Sequence, residues 1–312
     1  MMRLHRAPDA SVPPGFQLPH TASGKSSTLI AVLALTGSMA SLCVGTSFAK
    51  HLFDALGAQG TTALRVSFSA LILLCVWRPW RIPLTRANAL AIALYGAALG
   101  ATNLLFYMSL RTVPLGLAIA IEFTGPLAVA VLSSRRAIDF LWIACAVTGL
   151  LLLLPMGEAA GTLDPVGIGY ALAAGVGWAL YIVFGQRAGN AHGGQATSLG
   201  LTMAALVVLP FGVAHAGSAL LSPPLLLAGL AVGVLSSAIP YSLEMVALKR
   251  LHRRTFGILL SMEPAMGALA GLVFLHEQLS PLQWLAIASI ITASVGCTAT
   301  SRGKRDAGRD PA

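Results

Sequence analysis

Charged residues are scarce in this chain. Asp, Glu, Lys and Arg make up 10% of its 312 residues, whereas an ordinary soluble domain carries about a quarter. There are four cysteines, Cys43, Cys75, Cys145 and Cys297, all inside apolar runs. They lack the paired spacing of a zinc site or a disulfide framework and read as small buried hydrophobes. No G-x-S-x-G elbow, P-loop or H-E-x-x-H occurs, so neither a hydrolase site nor an ATP-driven step is written in the sequence. The seven histidines fall in the amino-terminal tail or between apolar runs, without ligand spacing; no metal and no cofactor is expected.

What is abundant is apolar sequence, at 56% of residues. A bilayer core about 30 Å thick is crossed by roughly 20 apolar residues as a helix, and runs of that length recur along almost the whole chain. The net charge of +9 does not indicate nucleic acid, because Lys and Arg sit in short clusters between apolar runs rather than along one face. Reading runs bounded by charge, Pro and Gly predicts ten helices, near residues 28–48, 61–77, 88–109, 113–133, 137–155, 165–185, 195–214, 224–248, 255–275 and 281–300. The expected fold is an all-α membrane protein. Residues 1–27 and 303–312 read as polar cytoplasmic tails, the first disordered. Ser47-Phe48-Ala49 resembles a signal-peptide cleavage site, but the run before it is too long, and an uncleaved helix is expected.

Ten spans with both termini inside place all but Lys50, Arg111 and Arg65 of the 20 Lys and Arg residues on the cytoplasmic side, as the positive-inside rule requires. The outer loops carry Asp54, Glu158, Asp164 and Glu277 instead. The chain divides into two five-helix halves, residues 28–155 and 156–302, offset by about 137 to 142 positions: Lys50 matches Arg187, Pro126 matches Pro264 and Trp142 matches Trp284. A unit with an odd number of spans enters the membrane in opposite senses in its two copies. The repeat is therefore inverted, which places a solute site near the midplane between halves. Gly96 and Gly100, Gly229 and Gly233, and Gly267 and Gly271 have the spacing of close helix packing. Trp77, Trp80, Trp142 and Trp284 fall near helix ends, where the headgroup layer favours them.

Ionisable groups inside a bilayer cost a few kcal/mol or more and normally face a cavity or the bundle interior. Four qualify: Arg65, Glu122, Glu244 and Glu263. Glu122 and Glu263 fall about midway along corresponding helices, each followed by a proline, Pro126 and Pro264, that frees a carbonyl at the preceding turn. They are the best candidates for a solute- or proton-binding site, although a structural kink would also explain them. Glu244, after Pro240, either binds solute or pairs with Lys249. Arg65 either snorkels outward, balances a carboxylate or binds one. Asn103, Tyr107 and Tyr241 offer hydrogen bonds at depth, and Trp178 faces either lipid or a cavity. Pro126, Pro240 and Pro264 are the expected kinks.

Several segments resemble one family. They are Val113-Pro114-Leu115-Gly116, Glu122-Phe123-Thr124-Gly125-Pro126-Leu127-Ala128-Val129, Ser133-Ser134-Arg135-Arg136, Gly185-Gln186-Arg187-Ala188-Gly189, Pro240-Tyr241-Ser242-Leu243-Glu244 and Ser261-Met262-Glu263-Pro264-Ala265. The chain resembles the drug/metabolite transporter superfamily, in which each half is an EamA-type domain, over residues 28–302, and within it the bacterial inner-membrane threonine/homoserine exporters. The resemblance implies export of small neutral amino acids driven by the proton gradient, with amino acid, proton and the lipid bilayer as partners and no enzyme activity. It leaves the oligomeric state open. Export of another metabolite or of lipophilic drugs is the alternative, followed by an intramembrane enzyme or a non-transporting scaffold.

Overall fold

The computed structural model describes residues 25–81, 85–132, 137–153, 164–248, 250, 256 and 259–300. The described residues form helices and short connections, with no strand among them. The elements are α1 (Lys25–His51), α2 (Phe53–Trp77), α3 (Arg86–Ser109), α4 (Leu115–Glu122), α5 (Thr124–Leu132), α6 (Ala137–Leu153), α7 (Pro165–Ala216), α8 (Pro223–Gly233), α9 (Ile239–Leu248), α10 (Glu263–Phe274) and α11 (Pro281–Thr300). Helix is the form this composition dictates, because backbone groups in hydrocarbon must be satisfied within their own segment.

Helix starts follow local chemistry. Thr85 accepts the Asn88 N–H at 3.3 Å to cap α3. Asp164 accepts the Val166 and Gly167 N–H groups at 3.0 and 3.3 Å ahead of Pro165. The first of these bonds does most to hold the Asp164 carboxyl below its usual range. At the head of α11, the Ser280 N–H donates to Gln283 Oε1 and the Gln283 N–H to Ser280 Oγ, a reciprocal box around Pro281.

Five described segments are long and apolar enough to cross a bilayer: Leu29–His51, Phe53–Trp77, Asn88–Ser109, Pro165–Gly185 and Gln195–Leu221. Leu115–Val129, Phe140–Gly149, Pro223–Ala238, Glu263–Phe274 and Pro281–Gly296 are shorter apolar helices. The 52 residues of α7 fold back on themselves. Gly185 and Gly200 both abut the ring of Tyr95, whereas 15 residues of straight helix would part them by about 22 Å.

Several expected helices are interrupted. The span near 113–133 is broken at Phe123, between α4 and α5. The span near 224–248 contains a π-helical turn over Val234–Ala238. In the span near 255–275, α10 begins at Glu263 after a turn at Ser261 and Met262, so Pro264 lies in a first helical turn, where its missing N–H costs nothing. Pro126 likewise sits near the start of α5. The first helix starts at Lys25, ahead of the expected residue 28, and α2 carries a break at Gly57, whose φ of 65° suits glycine alone.

In lipid, packing rather than water exclusion holds helices together, and small residues permit it. Gly96 and Gly100 meet Gly200 and Ala204, Gly229 meets Leu64, and Gly267 meets Ile119 and Gly116. The last contact marks where α4 crosses α10. The largest buried cluster, including Leu52, Leu56, Tyr107, Leu110, Val113, Leu115 and Leu220, fills the end of the bundle where α1 meets α2 and α3 meets α4. Of the cysteines, Cys43 is buried as expected, whereas Cys75 is exposed on the apolar surface; the Cys297 side chain lies outside the described residues. Residues 1–24, 154–163 and 301–312, which hold the expected tails and the junction between halves, also lie outside them.

Candidate functional site

A cavity of about 390 Å³ occupies the middle of the bundle. It runs from Thr46 and Arg65 to Glu244 and Leu260, close to the end opposite the large buried cluster. Its lining comes from α1 with Cys43 and Thr46, α2 with Arg65, α3 with Thr102 and Asn103, α4 with Glu122, α5 with Pro126, α7 with Trp178 and Tyr181, the π-helical turn with Ser236, α9 with Glu244 and α10 with Glu263. Sequence positions far apart thus converge, and Arg65, Asn103, Glu122, Trp178, Glu244 and Glu263, with Pro126 and Pro240, all reach the same space. Pro264 is buried beside Glu263 without lining it.

The helix breaks position the carboxylates. Glu122 is the last residue of α4, and the Thr124 hydroxyl turns back to the Ile121 carbonyl at 2.6 Å. Phe123, in the break, meets the edge of Trp178 with centroids 5.4 Å apart, and both residues line the cavity. Glu263 is the first residue of α10. The two glutamates are each 7% exposed and near enough for their charges to interact, as are Glu122 with Arg65 and Glu263 with Glu244. Glu244 also lies 3.1 Å from the Ser38 hydroxyl, whose proton is shared with the Pro240 carbonyl at 3.1 Å. Its expected partner Lys249 lies outside the described residues.

Arg65 does not snorkel. It is 9% exposed and held from three directions: Nε donates to Ser236 Oγ at 2.7 Å, Nη1 to Asn103 Oδ1 at 2.6 Å and Nη2 to the Ser236 carbonyl at 3.3 Å. Its guanidinium stands 5.1 Å from the centre of the Tyr107 ring. Asn103 is oriented in turn by its Nδ2, which donates to the Leu99 carbonyl at 2.8 Å. Tyr107 itself lies behind Arg65, wholly buried, and does not reach the cavity; its hydroxyl, near Thr46, makes no well-formed hydrogen bond. The Tyr241 side chain lies outside the described residues.

Ser236 was not among the residues singled out by sequence. Its role comes from the irregular backbone around it. In the π-helical turn the Ile239 N–H bonds to Val234 O instead of Leu235 O, and the released Leu235 carbonyl takes the Ser41 hydroxyl at 2.6 Å. Pro240 has no N–H to give the Ser236 carbonyl four residues back, which leaves that oxygen for Arg65. The sequence signal was Pro240 itself, counted back by one turn. Gly45 lets α1 approach this turn, since a Cβ there would come within 2.8 Å of the Ser236 nitrogen.

Among the described residues no group of three metal-ligating side chains occurs. What the geometry defines is a multi-pass helical membrane protein with a central, mostly apolar cavity into which three carboxylates and a guanidinium are set. Comparison with known proteins gives this class a family. Residues 165–298 match the EamA-like transporter family. The chain is 50% identical over 271 residues to the threonine/homoserine exporter RhtA of Escherichia coli strain K12, covering 87% of this chain and 92% of that protein. The threonine/homoserine exporter RhtA of Salmonella typhimurium strain LT2 matches with the same identity and coverage. A crystal structure described only as that of a protein shares the fold, with a TM-score of 0.56 at 20% identity over 88% of this chain and 96% of its own. The chain belongs to the EamA-like transporter family, and both RhtA relatives are named as exporters.

Proposed function

We propose that this protein exports small neutral amino acids of the threonine and homoserine type across the bacterial inner membrane, in exchange for protons. The observation that carries the reading is the convergence of Glu122, Glu263 and Arg65 on one buried cavity. Identity of 50% over 87% of the chain to named threonine/homoserine exporters supports the substrate class.

The architecture that goes with this function is ten spans in two inverted halves with both termini cytoplasmic. Its support is twofold. Helices meet in a pattern that survives exchange of the halves: α2 packs on the second leg of α7, α4 on α10 and α6 on α11, while α1 packs on α9 as the first leg of α7 packs on α3. The Lys and Arg residues other than Lys50, Arg111 and Arg65 fall on one side of such a chain. In this frame the large buried cluster seals the outer end, and the cavity reaches toward the cytoplasm through Glu244 and Leu260.

The exchange follows from competition. An ammonium and a proton neutralise the same buried carboxylates, Glu122 and Glu263, and a bare carboxylate at that depth costs several kcal/mol. A carrier that reorients only when neutralised then returns with a proton after releasing an amino acid. Glu244, nearer the mouth, serves the same cation before it reaches Glu263. Counterflow in proteoliposomes with labelled threonine and homoserine, with and without a pH gradient, tests this. Accumulation that follows the gradient is expected; transport of lipophilic cations but neither amino acid would replace the reading with that of a drug exporter.

A further inference from the structure

Arg65 is a buried cation whose charge meets no carboxylate at ion-pair distance; among the described residues the one such pair is Lys50 with Glu277. Three of its five N–H groups are engaged by Ser236 Oγ, Asn103 Oδ1 and the Ser236 carbonyl. Those acceptors are neutral dipoles. They fix the plane of the guanidinium without cancelling its charge, and the remaining N–H of Nη1 and of Nη2 belong to a side chain that lines the cavity. Each nitrogen is held once, which leaves one N–H on Nη1 and one on Nη2 to meet a carboxylate, the group whose two oxygens match paired guanidinium donors.

We propose that Ser236, Asn103 and the carbonyl vacated by Pro240 are positioning residues that aim Arg65 at the carboxylate of the solute, so that the cavity selects α-amino acids over the corresponding amines. This rests on the amino-acid reading above and assigns the second half of the zwitterion. The ammonium lies toward Glu122 and Glu263, and the carboxylate lies toward the side of the cavity made by α2, α3 and the π-helical turn. Ser236 contributes twice, through its hydroxyl and its carbonyl. It is held in turn by its own bond to the Val232 carbonyl at 2.6 Å.

The test compares threonine with 1-aminopropan-2-ol, which is threonine without its carboxylate, and with propionate, which has the carboxylate alone. Binding is read from the thermal stability of the full chain in detergent, independent of flux, and exchange from proteoliposomes. In the unaltered protein threonine should bind at least about tenfold more tightly than the amino alcohol, corresponding to about 1.4 kcal/mol, and propionate should bind measurably. Ser236→Ala and Arg65→Lys should each weaken threonine and propionate about tenfold while leaving the amino alcohol's half-saturation unchanged. Equal losses for threonine and the amino alcohol, or an unchanged threonine half-saturation in a variant that still melts cooperatively, would overturn the inference. So would the absence of propionate binding to the unaltered protein. Propionate binding without threonine binding or exchange would instead remove the amino-acid reading and leave Arg65 as a carboxylate receptor.

Discussion

Lys50 Nζ lies 2.5 Å from Glu277 Oε1, and the other oxygen of Glu277 accepts the Leu115 N–H at 2.8 Å. One carboxylate thus ties the end of α1 and the start of α4 to the turn after α10, at the end of the bundle that the large buried cluster closes. Opening that end to solvent requires this contact to part.

Replacing Glu277 with Gln keeps an acceptor for Leu115 and removes the ion pair. Because the two side chains are 25% and 13% exposed, we expect a modest stability loss of about 1 kcal/mol, read as a lower melting midpoint. Labelling of Cys43 by a membrane-impermeant maleimide applied from the Lys50 face should rise several-fold. Lys50→Met, which leaves the Leu115 acceptor untouched, should raise labelling to the same extent; labelling equal to that of the unaltered protein in both variants would show that the pair does not hold the end shut.

Under the proposed exchange, ammonium and proton compete for Glu122 and Glu263, and Glu122→Gln and Glu263→Gln remove those groups. Each variant should remain in the membrane and lose gradient-driven accumulation of threonine. Unaltered flux and pH dependence in both would defeat the exchange mechanism.

Pro240→Ala restores an N–H four residues beyond Ser236. That donor competes with Arg65 for the Ser236 carbonyl and favours a regular α-turn over the π-helical one. Threonine half-saturation should rise a few-fold while melting temperature holds or increases, because a proline has been removed from helical backbone. A lower melting temperature with intact threonine binding would contradict this account.

Tyr107→Phe deletes a buried hydroxyl that has no well-formed partner and keeps the ring beneath Arg65. Leaving such a group unsatisfied costs about 1–3 kcal/mol, so stability should be equal or higher, measured by thermal melting. Marked destabilisation would reveal a hydrogen bond to Thr46.

Much of the site was legible as sequence because charge is so expensive in hydrocarbon. Glu122, Glu263, Glu244 and Arg65 stand out from apolar runs, and all four reach one cavity. What stayed hidden depends on backbone that hydropathy does not describe. Ser236, flanked by Ser237 and Leu235, looks like any small residue in a membrane helix, and only the π-helical turn gives it two acceptors facing Arg65. Phe123 reads as mid-helix, yet the helix breaks there. Tyr107 offered a polar group at the expected depth, but the direction of a side chain around its helix cannot be read from depth alone. Glu277 was visible as a charge between apolar runs, while its partner Lys50 lies 227 residues earlier.

The crossing of α4 over α10 has a mechanical consequence. At Gly116 and Gly267 almost no side chain stands between the two backbones, so one rod can swivel on the other with little interlocking surface to shear. Glu122 and Glu263 ride within about two turns of that fulcrum. In the proposed carrier, swings at the two ends of these helices translate into small displacements at the carboxylates, so that a bound solute keeps its contacts while the ends exchange access.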